Sequence, residues 1–123
     1  MEINFKTHKN LDVWNESVEF VIDIYNVTKT FPETEQFGLV SQLNRAAVSI
    51  PSNIAEGAGR LSKKEFIQFL SIALGSIAEV DTQLLICNKL GYIDDEMYNT
   101  LENKLTNIRK MTLGLRKNIY NKL

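Results

Sequence analysis

The chain has 123 residues, 44% of them apolar and 24% charged, with a formal net charge of −1. That is one domain of ordinary globular composition, able to bury a core without staples and without the strong charge imbalance of a polyanion-coating protein. No consecutive apolar run approaches the roughly 18 residues that span a bilayer, Met1–Lys6 lacks the pattern of a cleaved leader, and the lone Cys87 excludes an internal disulfide or a cysteine metal cluster. The expected setting is the cytoplasm, with no membrane partner.

Residues 1–10 read as a loose arm ahead of a single domain over 11–123. The first helix is expected from about Leu11 to Thr30, with its stripe at Leu11, Trp14, Val18, Val21 and Tyr25. A second row, Val13, Phe20, Ile24 and Val27, widens that face beyond a two-position seam, as suits a helix covered on more than one side. Phe31-Pro32 should end it, because the residue before proline avoids the helical region.

A second helix is expected to open at Pro32 or Glu33, where proline and the acids Glu33 and Glu35 suit a helix start. Its stripe is Phe37, Val40, Leu43, Ala47, Ile50 and Ile54. Gly57-Ala58-Gly59 should close it, with glycine available for a left-handed cap. Pro51 falls inside this stripe, has no N–H for the carbonyl of Ala47, and crowds that carbonyl with its ring. The expectation is a continuous helix kinked at Pro51, with Ser49, Ser52 or Asn53 helping to satisfy the disturbed backbone.

The third helix has the clearest start. Ser62-Lys63-Lys64-Glu65 spells a capping box, and Phe66, Leu70, Ala73, Ile77, Val80, Leu84 and Cys87 follow at alternating spacings of four and three. Glycine inside a helix costs roughly 1 kcal/mol against alanine, so Gly75 suggests the close approach of another backbone. Leu90-Gly91 ends the segment. The fourth helix should open at Asp94 or Asp95 and present Leu101, Leu105, Ile108, Thr112, Leu115 and Ile119, flanked by Met97 and Met111. Four amphipathic helices with short connections predict an all-α, antiparallel up-down-up-down four-helix bundle.

Catalytic and metal chemistry lack an inventory. His8 is the only histidine and falls in the expected arm. The Glu-x-x-His pairs of di-iron bundles are missing, as is any Cys/His set for zinc. Gly57-Ala58-Gly59 follows a helix rather than a strand and lacks the Lys-Ser/Thr of a phosphate loop. No enzyme activity, cofactor or metal is expected. Charge is more informative. Residues 103–123 carry Lys104, Arg109, Lys110, Arg116, Lys117 and Lys122 and no acid, so that segment is +6 and, against a net of −1, the remainder is −7. Such cations complement a helix C-terminus, and they also make a face for an anionic polymer. Arg45, Glu56, Arg60, Glu79 and Asp81 interrupt or border apolar stripes. Were Glu79 buried at the core margin it would need a partner, for which Arg45 is the natural candidate.

Gln42–Arg60, Q-L-N-R-A-A-V-S-I-P-S-N-I-A-E-G-A-G-R, together with Phe31-Pro32, Ile72–Leu84 (I-A-L-G-S-I-A-E-V-D-T-Q-L) and the Leu90-Gly91-Tyr92 turn, resembles the family of 23S rRNA intervening-sequence proteins over nearly the whole chain. The resemblance implies a small bacterial four-helix bundle that assembles as a ring-like homopentamer. It also implies kinship with the accessory variability determinants of diversity-generating retroelements, basic pentamers that bind nucleic acid and a reverse transcriptase. This chain, with a pI of about 5.8, departs from that relative in charge. The resulting expectation is a non-enzymatic homo-oligomer with Arg45, Pro51, Asn53, Glu56, Arg60 and Glu79 in its packing and subunit contacts. RNA or DNA would sit on Lys63, Lys64, Lys104, Arg109, Lys110, Arg116 and Lys117. The alternative is a scaffold that docks a partner protein and has no nucleic-acid role.

Overall fold

The computed structural model describes residues 7–123, so residues 1–6 of the expected arm lie outside it. Four helices make the body: α1 (Asp12–Thr28), α2 (Leu39–Ala58), α3 (Lys63–Lys89) and α4 (Asp95–Tyr120). No strand occurs among the described residues. Residues 7–10 form a 3-10 turn capped by the Thr7 side chain, and the His8 ring meets Trp14 edge-on at 4.9 Å between centroids.

The core runs the length of the bundle through Phe20, Ile24, Leu43, Ile50, Ile54, Leu70, Ile77, Leu84, Leu101, Leu105, Ile108 and Ile119, all fully buried. On α3 and α4 the expected stripes are the core stripes, except that Leu115 is only partly buried. On α1 the order is reversed. The narrower row, Val13, Phe20 and Ile24, enters the core, while Leu11, Trp14, Val18 and Val21 flank it and Tyr25 is exposed. The buried row also takes in Ser17 and Thr28, whose hydroxyls both have partners. Ser17 Oγ donates to Trp14 O at 2.8 Å, and Thr28 Oγ1 donates to Asn44 Oδ1 on α2 at 3.0 Å. Hydroxyls bonded this way are buried at little cost.

The second helix starts later than expected. Pro32 leads into a 3-10 turn at Glu33–Glu35, and α2 opens only at Leu39. Phe37, expected on its stripe, is 95% exposed. The acids that look like a helix start are used otherwise: Glu35 Oε1 accepts from Leu39 N at 3.3 Å, and Oε2 accepts from Tyr92 Oη at 2.8 Å. Phe31 is buried against the Tyr92 ring, centroids 5.3 Å apart. This cluster ties the first interhelix connection to the α3–α4 turn, where Gly91 has φ +81. Tyr92→Phe keeps the ring contact and removes the hydrogen bond, so urea denaturation should show a loss of about 1 kcal/mol.

The α2 helix runs unbroken through Pro51, whose side chain is buried. Its C-cap, Gly59, has φ −81, so the chain leaves the helix without the expected left-handed residue. Half of the capping box on α3 is formed: Ser62 Oγ accepts from Glu65 N at 3.3 Å. Neighbouring helices run antiparallel where cross-contacts define them. Ser49 meets Ser76 and Gly57 meets Phe66 between α2 and α3. Ser71 meets Arg116, and Lys63 meets Lys122, between α3 and α4. In each pair the residue numbers rise on one helix as they fall on the other.

By length and composition α3 could cross a membrane, although no unbroken apolar run in it is that long. Its buried stripe packs on α2 and α4, as a core helix does. Between Glu65 and Lys89 its only charges are Glu79 and Asp81. The remaining face, with Ile72, Gly75, Ala78, Thr82, Leu85 and Ile86, is exposed.

Candidate functional site

The motif residues divide between three local arrangements. In the first, Asn53 Nδ2 donates to Ser49 O at 2.8 Å and to Ser49 Oγ at 2.9 Å, and Ser49 Oγ lies 2.8 Å from Ser76 Oγ on α3. The polar side of α2 after Pro51 is thereby pinned to α3. These bonds reach the Ser49 carbonyl rather than that of Ala47, so they reinforce the turn at the proline without replacing the N–H it lacks. In the second, Arg60 sits 3.6 Å from Glu56 and holds its guanidinium 4.9 Å from the centroid of the Phe69 ring. Both charges are well exposed, so their pairing is worth at most about 1 kcal/mol. It nevertheless fixes Arg60 over the end of α2.

The third arrangement is not the one the sequence suggests. Arg45 and Glu79 are both exposed and make no ion pair with each other; the ion pairs among the described residues are Arg60–Glu56 and Lys104–Asp23. Glu79 instead accepts from Gln83 Nε2 at 3.3 Å, one turn along α3. A hydrated carboxylate needs no buried partner, so the premise for an Arg45–Glu79 pair is absent. Gly75, expected to receive a close backbone, has nothing within 4 Å of where a Cβ would stand. The close approach lies instead at Gly57, where an added Cβ would meet α3.

The cations also separate. Lys104 is committed to Asp23 on α1 at 2.7 Å. Arg109 lines a cleft between α3 and α4, and Lys110 is exposed. Towards the end of α4 the charges converge. Arg116 Nη1 donates to Ser71 Oγ at 3.1 Å, and Lys63 Nζ donates to Lys122 O at 3.2 Å. Antiparallel packing thus puts the α3 start, with Lys63 and Lys64, beside the α4 end. Between them Ile67, Leu113, Arg116, Lys117 and Tyr120 line a groove of about 490 Å³. Tyr120 is exposed there. Two cations, an aromatic ring and an apolar floor are the elements that hold a flexible polyanion: phosphates meet the charges and a base can stack on the ring. The N-terminal pole of the α3 dipole lies at the same end. The sequence carried this only as a charge count, because the groove depends on helices whose ends meet through the fold.

No metal-binding group of three or more His, Cys, Asp or Glu occurs among the described residues. Cys87 is fully buried, and burial, followed by the nearby Glu35 charge, pushes its thiol up to about 11. A thiol that stays protonated at neutral pH is core filling rather than a nucleophile.

Comparison with functionally curated proteins gives no match. Among solved structures, the chain is similar to a protein of unknown function from the S23 ribosomal protein family of Bacteroides thetaiotaomicron. The two share 31% identity with a TM-score of 0.79, over 85% of this chain and 95% of the other. The family model described as 23S rRNA-intervening sequence protein matches residues 9–114, which cover all but the last turns of the bundle. The chain therefore belongs to the 23S rRNA-intervening sequence protein family.

Proposed function

We propose that the chain is a non-enzymatic accessory protein that assembles into a ring, pentameric as the family resemblance implies, and holds RNA at the basic end of each subunit. The groove between the α3 start and the α4 end carries this reading, with Arg116 and Lys117 beside the exposed Tyr120. A ring repeats that groove on every subunit. Several weak phosphate contacts then act together, which compensates for a net charge of only −1 on the chain. Assembly is supported by the unpaired, nearly uncharged face of α3. A ring contact joins two different patches, and α1 offers the second through Ile22 and Tyr25, both exposed.

Light scattering at micromolar concentration tests the assembly, and a single-subunit mass would end that part of the reading. Binding to a fluorescent single-stranded RNA tests the groove. Affinity should fall steeply with salt, as phosphate contacts require. Arg116→Glu with Lys117→Glu should weaken binding by tenfold or more, at roughly 1 kcal/mol or above per lost contact, and flatten the salt slope. Adding Arg109→Glu and Lys110→Glu should weaken it further, whereas Lys104→Glu, at a site already paired to Asp23, should matter least. Absence of binding at low salt would leave the protein-docking scaffold, which the exposed Phe37 and Leu61 side chains favour. A stoichiometric, nuclease-insensitive protein partner would identify that alternative.

A further inference from the structure

The two ends of the bundle differ in both charge and shape. At the α2–α3 turn Leu61 stands fully exposed. Arg60, Lys63 and Lys64 flank it, all of them exposed. Arg60 is held by Glu56 and Phe69, and Lys63 by the Lys122 carbonyl, so two of these cations are fixed in place beside the leucine. At the opposite end a groove of about 420 Å³ opens between the end of α1 and the start of α4. Val27 and Ile93 form its more buried side, Tyr92 and Met97 are partly open to solvent, and the exposed Asp94 and Glu96 supply its charge. No lysine or arginine lines it. Glu35, bonded to Tyr92, and Asp95, bonded to Asn88, stand at the same end, as does Glu33 in the Glu35 turn. Five acids there face two lysines, Lys29 and Lys89.

We propose that this groove receives the Leu61 turn of a second copy of the chain, so that copies stack end to end. The occupant follows from the two patches. An apolar surface bordered by two carboxylates suits an apolar side chain that brings cations with it, and Leu61 among Arg60, Lys63 and Lys64 is that combination. The leucine leaves water in the groove, and the lysine stems lie along apolar surface with their ammonium groups at Asp94 and Glu96. The chain cannot make this contact with itself. The 27 residues of α3 separate the turn from the groove, about 40 Å at 1.5 Å per residue. The patches are different and lie at opposite ends, so the contact is heterologous and repeats along the bundle without closing. It is also small, and contacts well below about 1,200 Å² are transient. Stacking is therefore reversible, and because its charges are exposed it is weakened by salt.

Sedimentation velocity of the full chain tests the stack. In about 0.05 M salt the average mass should climb with protein concentration, and in about 0.5 M salt, where surface charges are screened, it should hold a plateau. Leu61→Ser, Lys63→Glu with Lys64→Glu, and Glu96→Lys should each abolish the climb, through a loss of roughly tenfold or more in affinity, and leave the plateau unchanged. Mixing the two charge-reversed chains should restore the climb, because the acidic turn of one meets the new lysine of the other. Adding Leu61→Ser to the Lys63→Glu, Lys64→Glu chain should remove that recovery. A wild-type chain that does not climb at low salt, or a climb that survives Leu61→Ser, would overturn the stack. Methyl NMR reads the groove itself, on a Lys63→Glu, Lys64→Glu chain with labelled methionines. The Met97 signal should shift on adding unlabelled wild type and stay in place on adding unlabelled Leu61→Ser. A shift with polylysine but none with the wild-type chain would mean that the groove takes a basic segment of another protein, and would refute the stack. The high-salt plateau reports the ring and the low-salt climb the stack, with no RNA present, so the three readings fail separately.

Discussion

Replacing Gly57 with alanine should destabilise the bundle by about 2 kcal/mol, although alanine is the better helix former. An added Cβ would stand 2.7 Å from Phe69 Cβ, 2.9 Å from Phe66 Cδ1 and 3.3 Å from the Phe66 carbonyl oxygen. The nearest of these atoms is fixed to the α3 backbone, so no rotamer change relieves the contact. The two helices would have to separate where Arg60 lies over Phe69 and the basic groove begins. Overpacking costs roughly 1–3 kcal/mol, and a backbone-anchored contact this short belongs at the upper end or beyond. Helix propensity returns at most about 1 kcal/mol. Gly57→Leu should therefore prevent folding. Gly75→Ala supplies the opposite sign, because its Cβ meets nothing within the chain: the isolated subunit should gain about 0.5–1 kcal/mol. Urea denaturation at matched protein concentration reads both, and a Gly57→Ala chain as stable as wild type would contradict the packing described here.

These two glycines show where the sequence was legible and where it was not. Both stand in helical patterns, and a pattern along one chain says that glycine is unusual there without saying what faces it. Sequence alone points to Gly75 for the close approach and to Gly57 as part of a cap. Only the crossing of α2 and α3 decides between them. Periodicity succeeded where one apolar row dominates, as on α3 from Phe66 to Cys87. It misled on α1, where two rows compete and the buried one hides Ser17 and Thr28 behind local hydrogen bonds to Trp14 O and Tyr25 O. The α2 start was misplaced for a related reason. Glu33 and Glu35 have the chemistry of a helix terminus, yet Tyr92, far along the chain, claims Glu35 for a turn. The candidate sites follow the same division. The six cations near the C-terminus were visible as charge, while their meeting with Lys63 across the antiparallel α3–α4 seam was not.

A single charge on the α3 face should dissociate the proposed ring into folded subunits of 14.0 kDa. Ile86 is 42% exposed within the subunit, so Ile86→Glu leaves the core intact and should preserve helix content. In an interface the same carboxylate would be buried without a partner, at a cost of several kcal/mol. Each 1.4 kcal/mol is tenfold in affinity, enough to abolish assembly at micromolar concentration. The α1 patch should respond in the same way to Ile22→Glu, at a side chain 56% exposed. Mixing the two variants gives a sharper result than either alone. In a ring whose contacts join the α1 patch of one subunit to the α3 patch of the next, each variant keeps the patch that the other has lost. One intact contact can then form between the two, and neither chain can extend it. The mixture should show twice the subunit mass and go no further. A mixture that stays at the single mass, or either variant alone retaining the full assembly, would mean that these two faces are not the ring contact.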